Sequence, residues 1–97
     1  MYDIKLSCEE DCEIVERISK YYNNIKNSKY LYECIVILIN MFNFLKLKEN
    51  FILKNQQFKS KILIFYDEII QDTEYENISQ QLKNNFDNSY INLKNIE

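Results

Sequence analysis

The chain contains no glycine, proline, alanine, histidine or tryptophan. Each absence excludes something. Without glycine or proline, turns must be built from Asn, Asp and Ser, which tolerate unusual backbone angles and bond to their own main chain. Tight hairpins, which lean on glycine at positions of positive φ, are disfavoured relative to long helices. Without histidine, the commonest general base, the usual catalytic triads and the Glu-x-x-His pairs of di-iron bundles are all missing. No Gly-rich phosphate loop exists either, so an enzyme is not expected.

What is present is apolar and acidic. Hydrophobic residues make up 46% of the 97 positions and the net charge is −3. That length and apolar share predict a single domain over 1–97 with a modest core. The shortage of basic residues argues against coating nucleic acid or an anionic membrane and favours a basic partner. The excess of Ile, Asn, Lys, Tyr and Phe tracks AT-rich codons, which points to a low-GC genome, a phage or an acquired island. MYDIKLSCEED has no basic segment followed by an apolar stretch, so no secretory signal is expected. Three cysteines, an odd number, fit reduced thiols in a cytoplasm better than a disulfide framework.

Helical periodicity runs through the chain. Ser7 with Glu10 has the form of a capping box, and Glu9, Glu10 and Asp11 complement the positive end of a helix that the spacing of Val15, Ile18 and Tyr22 extends from Cys8 to about Asn23. Tyr2, Ile4 and Leu6 alternate before it, as in a short strand or extended arm, and NNIKNS after it reads as a loop. Residues 30 to 47 are mostly apolar, with Glu33, Asn40 and Asn43 on one narrow stripe, as expected of a central helix buried on all but one edge. CIVILI is also compatible with a buried strand, but the whole segment is too short and interrupted for a membrane span. KENF holds the next expected turn. Phe51, Phe58, Ile62, Phe65 and Ile69 then predict a third helix to about Gln71. Thr73 with Glu76 has the form of a second capping box, opening a last helix that FDNS could divide. The expected fold is all-α: a small four-helix up-down bundle with, at most, a short extended N-terminal arm.

Three features carry functional possibilities. Cys8 and Cys12, if both lie on one helix, are separated by more than a disulfide allows and lack the CxxC spacing of redox sites. A zinc site would need Cys34 and a carboxylate besides, so buried structural thiols are the expectation, with no metal or cofactor. FILKNQQFKSK, residues 51 to 61, interleaves lysines with phenylalanines as a nucleic-acid surface does, although Phe51 and Phe58 also fit the core stripe.

The third feature is DEIIQDTEYE, which holds five acids and no base in ten residues. Asp67, Glu68, Asp72, Glu74 and Glu76, with Tyr75 as an aromatic anchor, form the candidate partner-binding site, able to steer a basic protein surface. Against it stands internal neutralisation. In an up-down bundle the run Glu9 to Glu16 shares an end with Lys46 to Lys54, and Asp67 to Glu76 shares one with Lys26 and Lys29. The function expected is a non-enzymatic, protein-binding inhibitor of the immunity or antitoxin kind, neutralising a basic toxin or nuclease domain in the cytoplasm. A phage or viral anti-defence protein, or an assembly subunit, has the same features; a cysteine-based metal or redox protein is the remaining class.

Overall fold

The protein is described by a computed structural model covering residue 4 and residues 6–97. Five α-helices and one 3-10 turn follow in order: α1 (Glu9–Asn27), α2 (Leu31–Lys46), α3 (Glu49–Lys54), α4 (Gln56–Ile70), the 3-10 turn (Thr73–Asn77) and α5 (Gln80–Lys94). The segment CIVILI is helical, inside α2. Ile4 and Leu6 have no regular secondary structure, and Ile4 packs partly against the core. Tyr2, the other member of the expected arm, lies outside the described residues.

The helices alternate in direction. Glu10 pairs with Lys48 at 3.3 Å, and the Arg17 guanidinium lies 5.1 Å from the centre of the Phe44 ring, so α2 runs back along α1. Lys59 meets the carbonyls of Lys94 and Ile96 while Tyr66 stacks on Tyr90 at 3.9 Å, so α5 runs back along α4. The small up-down bundle is therefore present. Its most extensive helix pairing is between α2 and α5, and α2 also packs on α1, α3 and α4. That centrality follows from composition: Ile35, Leu38, Met41, Phe42 and Leu45 are fully buried, while Glu33, Asn40 and Asn43 remain exposed along the one free edge. One contiguous core joins these residues to Ile14, Ile18, Phe51, Ile52, Phe58, Ile62, Phe86 and Leu93.

Four element boundaries depart from expectation, each for a local reason. α1 continues to Asn27 because Ile25, in the expected loop, packs against the core and holds another turn. The third helix is broken: α3 starts at Glu49, and Asn55 (φ −132°, ψ 53°) separates it from α4. The Asn55 side-chain amide donates to the Phe51 carbonyl at 2.9 Å, which satisfies an acceptor that the break would otherwise orphan. Thr73 and Glu76 do not form a capping box. Asp72 accepts the Glu74 amide at 2.8 Å to open the 3-10 turn, and Ser79 then caps α5 through the Leu82 amide at 3.3 Å. FDNS does not divide α5, because Ser89 is buried with its hydroxyl donating to the Phe86 carbonyl at 2.8 Å.

Candidate functional site

The two acidic segments occupy opposite ends of the bundle, and their chemistry differs. At the start of α1, Ser7 and Glu10 do not form the expected capping box; Cys8 is the N-cap, with extended backbone and no side-chain cap. Asp11 takes the organising role instead. Only 3% exposed, its carboxylate accepts the Ser7 amide at 2.8 Å, the Ser7 hydroxyl at 3.1 Å and the Lys54 ammonium at 2.5 Å. Lys54 also donates to the Ser7 hydroxyl. The Lys54 ammonium, aided by the Ser7 amide, holds the Asp11 carboxyl far below the usual carboxylate range. Glu10 is paired with Lys48, as noted above. The partial neutralisation expected at this end thus takes the form of two pairs, with Lys48 and Lys54; Glu9, Glu13 and Glu16 are exposed and, among the described residues, form no ion pair.

An open cleft of about 420 Å³ lies over this end, between the start of α1 and the α2–α3 connection, lined by Cys8, Ile14, Phe51 and the two ion pairs. Four of its charged groups are taken up in these two pairs, while Glu49, also in the lining, belongs to neither. Cys8 and Cys12 are exposed and Cys34 is half-buried, all three as free thiols, so two of the three are not the buried structural thiols expected. Cys8 lies outside the helix that begins at Glu9, so the pair is not one helical turn apart within α1. Among the described residues, no group of three or more Cys, Asp or Glu side chains is placed to hold a metal ion.

At the other end, the α4–α5 connection carries the candidate partner-binding residues. Asp67 and Glu68 are exposed on the last turns of α4, and Asp72, Glu74 and Glu76 are exposed on and beside the 3-10 turn. Asp72 is occupied as a cap, and Glu74 accepts the Asn77 side-chain amide at 3.2 Å. Among the described residues none of the five forms an ion pair, and the neutralisation expected from Lys26 and Lys29 does not occur as direct contact. A cation does reach this connection: the Lys83 ammonium lies 5.1 Å from the centre of the Tyr75 ring. Tyr75 itself is half-buried and packed on the core, and this burial raises its phenol above the usual value.

Beneath the turn, Tyr66 donates to Asp87 at 2.6 Å and packs against Phe86 and Tyr90. Burial and the neighbouring Asp87 carboxylate both raise its phenol well above the ordinary range. This polar contact fixes α4 against α5 just below the acidic connection.

The 51–61 segment does not present its aromatics to solvent. Phe51 and Phe58 are core residues, in edge-to-face contact at 5.9 Å. Lys59 is turned inward, 8% exposed, and its ammonium caps the C-terminal carbonyls of α5. The interleaving legible in the sequence is thus a packing pattern.

Sequence reasoning passed over two exposed aromatics at the acidic connection's end of the bundle. Tyr30, the N-cap of α2, is 67% exposed and Tyr32 is 60% exposed. Their position directly after the Asn-rich segment, ahead of the first buried residue of α2, was the available signal.

Among the described residues no helix is long and apolar enough to cross a membrane. No protein-family model matches the chain, and no curated protein or solved structure matches it either.

Proposed function

We propose that the protein is a non-enzymatic inhibitor of the immunity or antitoxin kind, which occupies a basic surface of another protein through the α4–α5 connection. The observation that carries this is the contrast in charge satisfaction. Asp67, Glu68, Asp72, Glu74 and Glu76 are all exposed and, among the described residues, without an ion pair, whereas two of the five acids at the opposite end, Glu10 and Asp11, are held by lysines. A run of one sign without ion pairs attracts the opposite sign over about a Debye length, roughly 8 Å at physiological salt. It thereby raises the on-rate for a basic partner.

The experiment is affinity capture from the source organism's lysate, using immobilised parent, an Asp72→Lys/Glu74→Lys variant and a Cys8→Ser/Cys12→Ser variant, with bound proteins identified by mass spectrometry. A basic protein held by the parent and the cysteine variant, and lost from the lysine variant, supports the proposal. Equal capture by all three assigns binding to another face. Inhibition of the captured protein's own activity then separates an inhibitor from an assembly subunit.

A further inference from the structure

We propose that Tyr30 and Tyr32 are the anchors of the same interface, and that they and the acidic connection together receive one basic protein surface; this rests on the function proposed above. Tyr75, the aromatic nearest the acids in sequence, is poorly suited to anchor a partner, because its ring packs on the core and already lies beneath Lys83. Tyr30 and Tyr32 are the two most exposed aromatic side chains of the described chain, at 67% and 60%.

Helix register brings these features to one end. The Tyr22 and Phe65 rings, 5.7 Å apart, set α1 and α4 at the same level. From Tyr22 to Asn27 and from Phe65 to Ile70 the residue counts are equal, so both helices end about 7.5 Å beyond that level at 1.5 Å per residue. The connection carrying Tyr30 therefore emerges at the height where the acidic connection begins. The two shorter dimensions of the molecule are 27 and 17 Å. An end face of that size is smaller than the roughly 800 Å² that each partner contributes to a standard interface, which puts the contact in the small, transient class.

Charge selects the occupant. Lys26 and Lys29 flank the tyrosines and Lys83 lies over Tyr75, but the five acids of the connection outnumber these three lysines across the end. The chemistry matches an interface in which aromatic anchors enter the partner while charges at the rim steer it. Tyrosine suits the role because it supplies a large rigid contact area and a hydroxyl for little rotamer entropy.

The test uses a lysine-rich amphipathic helical peptide and its glutamine counterpart as probes, with rates from stopped-flow and ring signals from NMR. Tyr30→Ser/Tyr32→Ala places a capping residue at the start of α2, where Tyr30 makes no side-chain cap, and circular dichroism checks that it folds. Expected is an affinity loss of about tenfold or more carried by the off-rate, with the on-rate within about twofold of the parent. In the parent, both tyrosine ring signals should shift on binding of the lysine peptide, a readout that needs no variant. If Asp72→Lys/Glu74→Lys slows association while the tyrosine variant keeps the parent's off-rate and the ring signals stay put, the anchor assignment is wrong and the acidic reading stands. Lysine and glutamine peptides bound alike, or neither bound, overturn the acidic reading and the anchors with it. Concentration-dependent dimerisation of the free protein, abolished by the tyrosine variant, overturns the proposal in favour of self-association.

Discussion

Two acidic segments of similar composition sit at opposite ends of one bundle and do opposite things. The run from Glu9 to Glu16 opens α1, and two of its members are engaged by lysines: Asp11 is buried against Lys54 and Ser7, and the exposed Glu10 is paired with Lys48. The run from Asp67 to Glu76 spends its polar capacity locally, on a cap and on Asn77, and keeps its charge in solvent. Composition does not distinguish them; the neighbouring connection does. The α2–α3 turn folds back over the start of α1 and brings Lys48 and Lys54 within bonding distance, whereas the α1–α2 connection presents Lys26 and Lys29 at the right end without contact. An acidic run is a fold device where the chain returns a cation to it, and a surface available to partners where it does not.

The largest effect tests the core on which both ends depend. Leu38, completely buried at the centre of α2, tolerates no charge: Leu38→Asp should cost several kcal/mol, and far-UV circular dichroism should show an unfolded chain. Next, Lys54→Met leaves Asp11 buried beside an apolar side chain, so the melting temperature should drop clearly, though less than folding itself is compromised by Leu38→Asp. Adding Asp11→Asn to that variant should recover part of the loss, because the uncompensated charge is then gone.

Acid sharpens the same contrast. Asp11 in the folded protein lies far below its unfolded value of about 4, so between those values the unfolded chain binds more protons. The stabilisation is complete above the unfolded value and drains away as pH falls towards the folded one. Thermal melts from pH 6 down to pH 2 should fall more steeply for the parent than for Lys54→Met. The smallest effect is expected at the exposed pair: Lys48→Gln should cost less than about 1 kcal/mol in urea denaturation, because Glu10 and Lys48 are both substantially solvated.

Much of the fold was legible because apolar spacing reports burial directly. Ile18, Phe51, Phe58 and Ile62 fall on the stripes that periodicity defines, and all are buried. Boundaries were less legible, since a chain without glycine or proline ends its helices by side-chain competition that spacing does not reveal. Asn55 breaks a helix by bonding the Phe51 carbonyl, while Asn23 and Asn24, the same residue type, remain inside α1 because Ile25 packs. Ser79, and not Thr73, starts α5, because Asp72 had already captured the preceding amide for a 3-10 turn. At the candidate site, the five acids could be read as exposed from their lack of basic neighbours. The exposure of Tyr30 and Tyr32 could not, since tyrosines 21, 22, 66 and 75 carry the same side chain and pack against the core.

The most direct test of the contrast places the same change of charge at each end. Glu13→Lys/Glu16→Lys alters the partly neutralised end at two exposed positions, and Asp72→Lys/Glu74→Lys alters the other. Association rates of both variants and the parent with the captured basic partner are measured by stopped-flow at low and physiological ionic strength. The second variant is expected to associate more slowly and with a weaker salt dependence, while the first stays close to the parent once the shared change in net charge is screened. Equal slowing by both variants at both ionic strengths would contradict it, because association would then follow net charge and the α4–α5 connection would have no special part in binding.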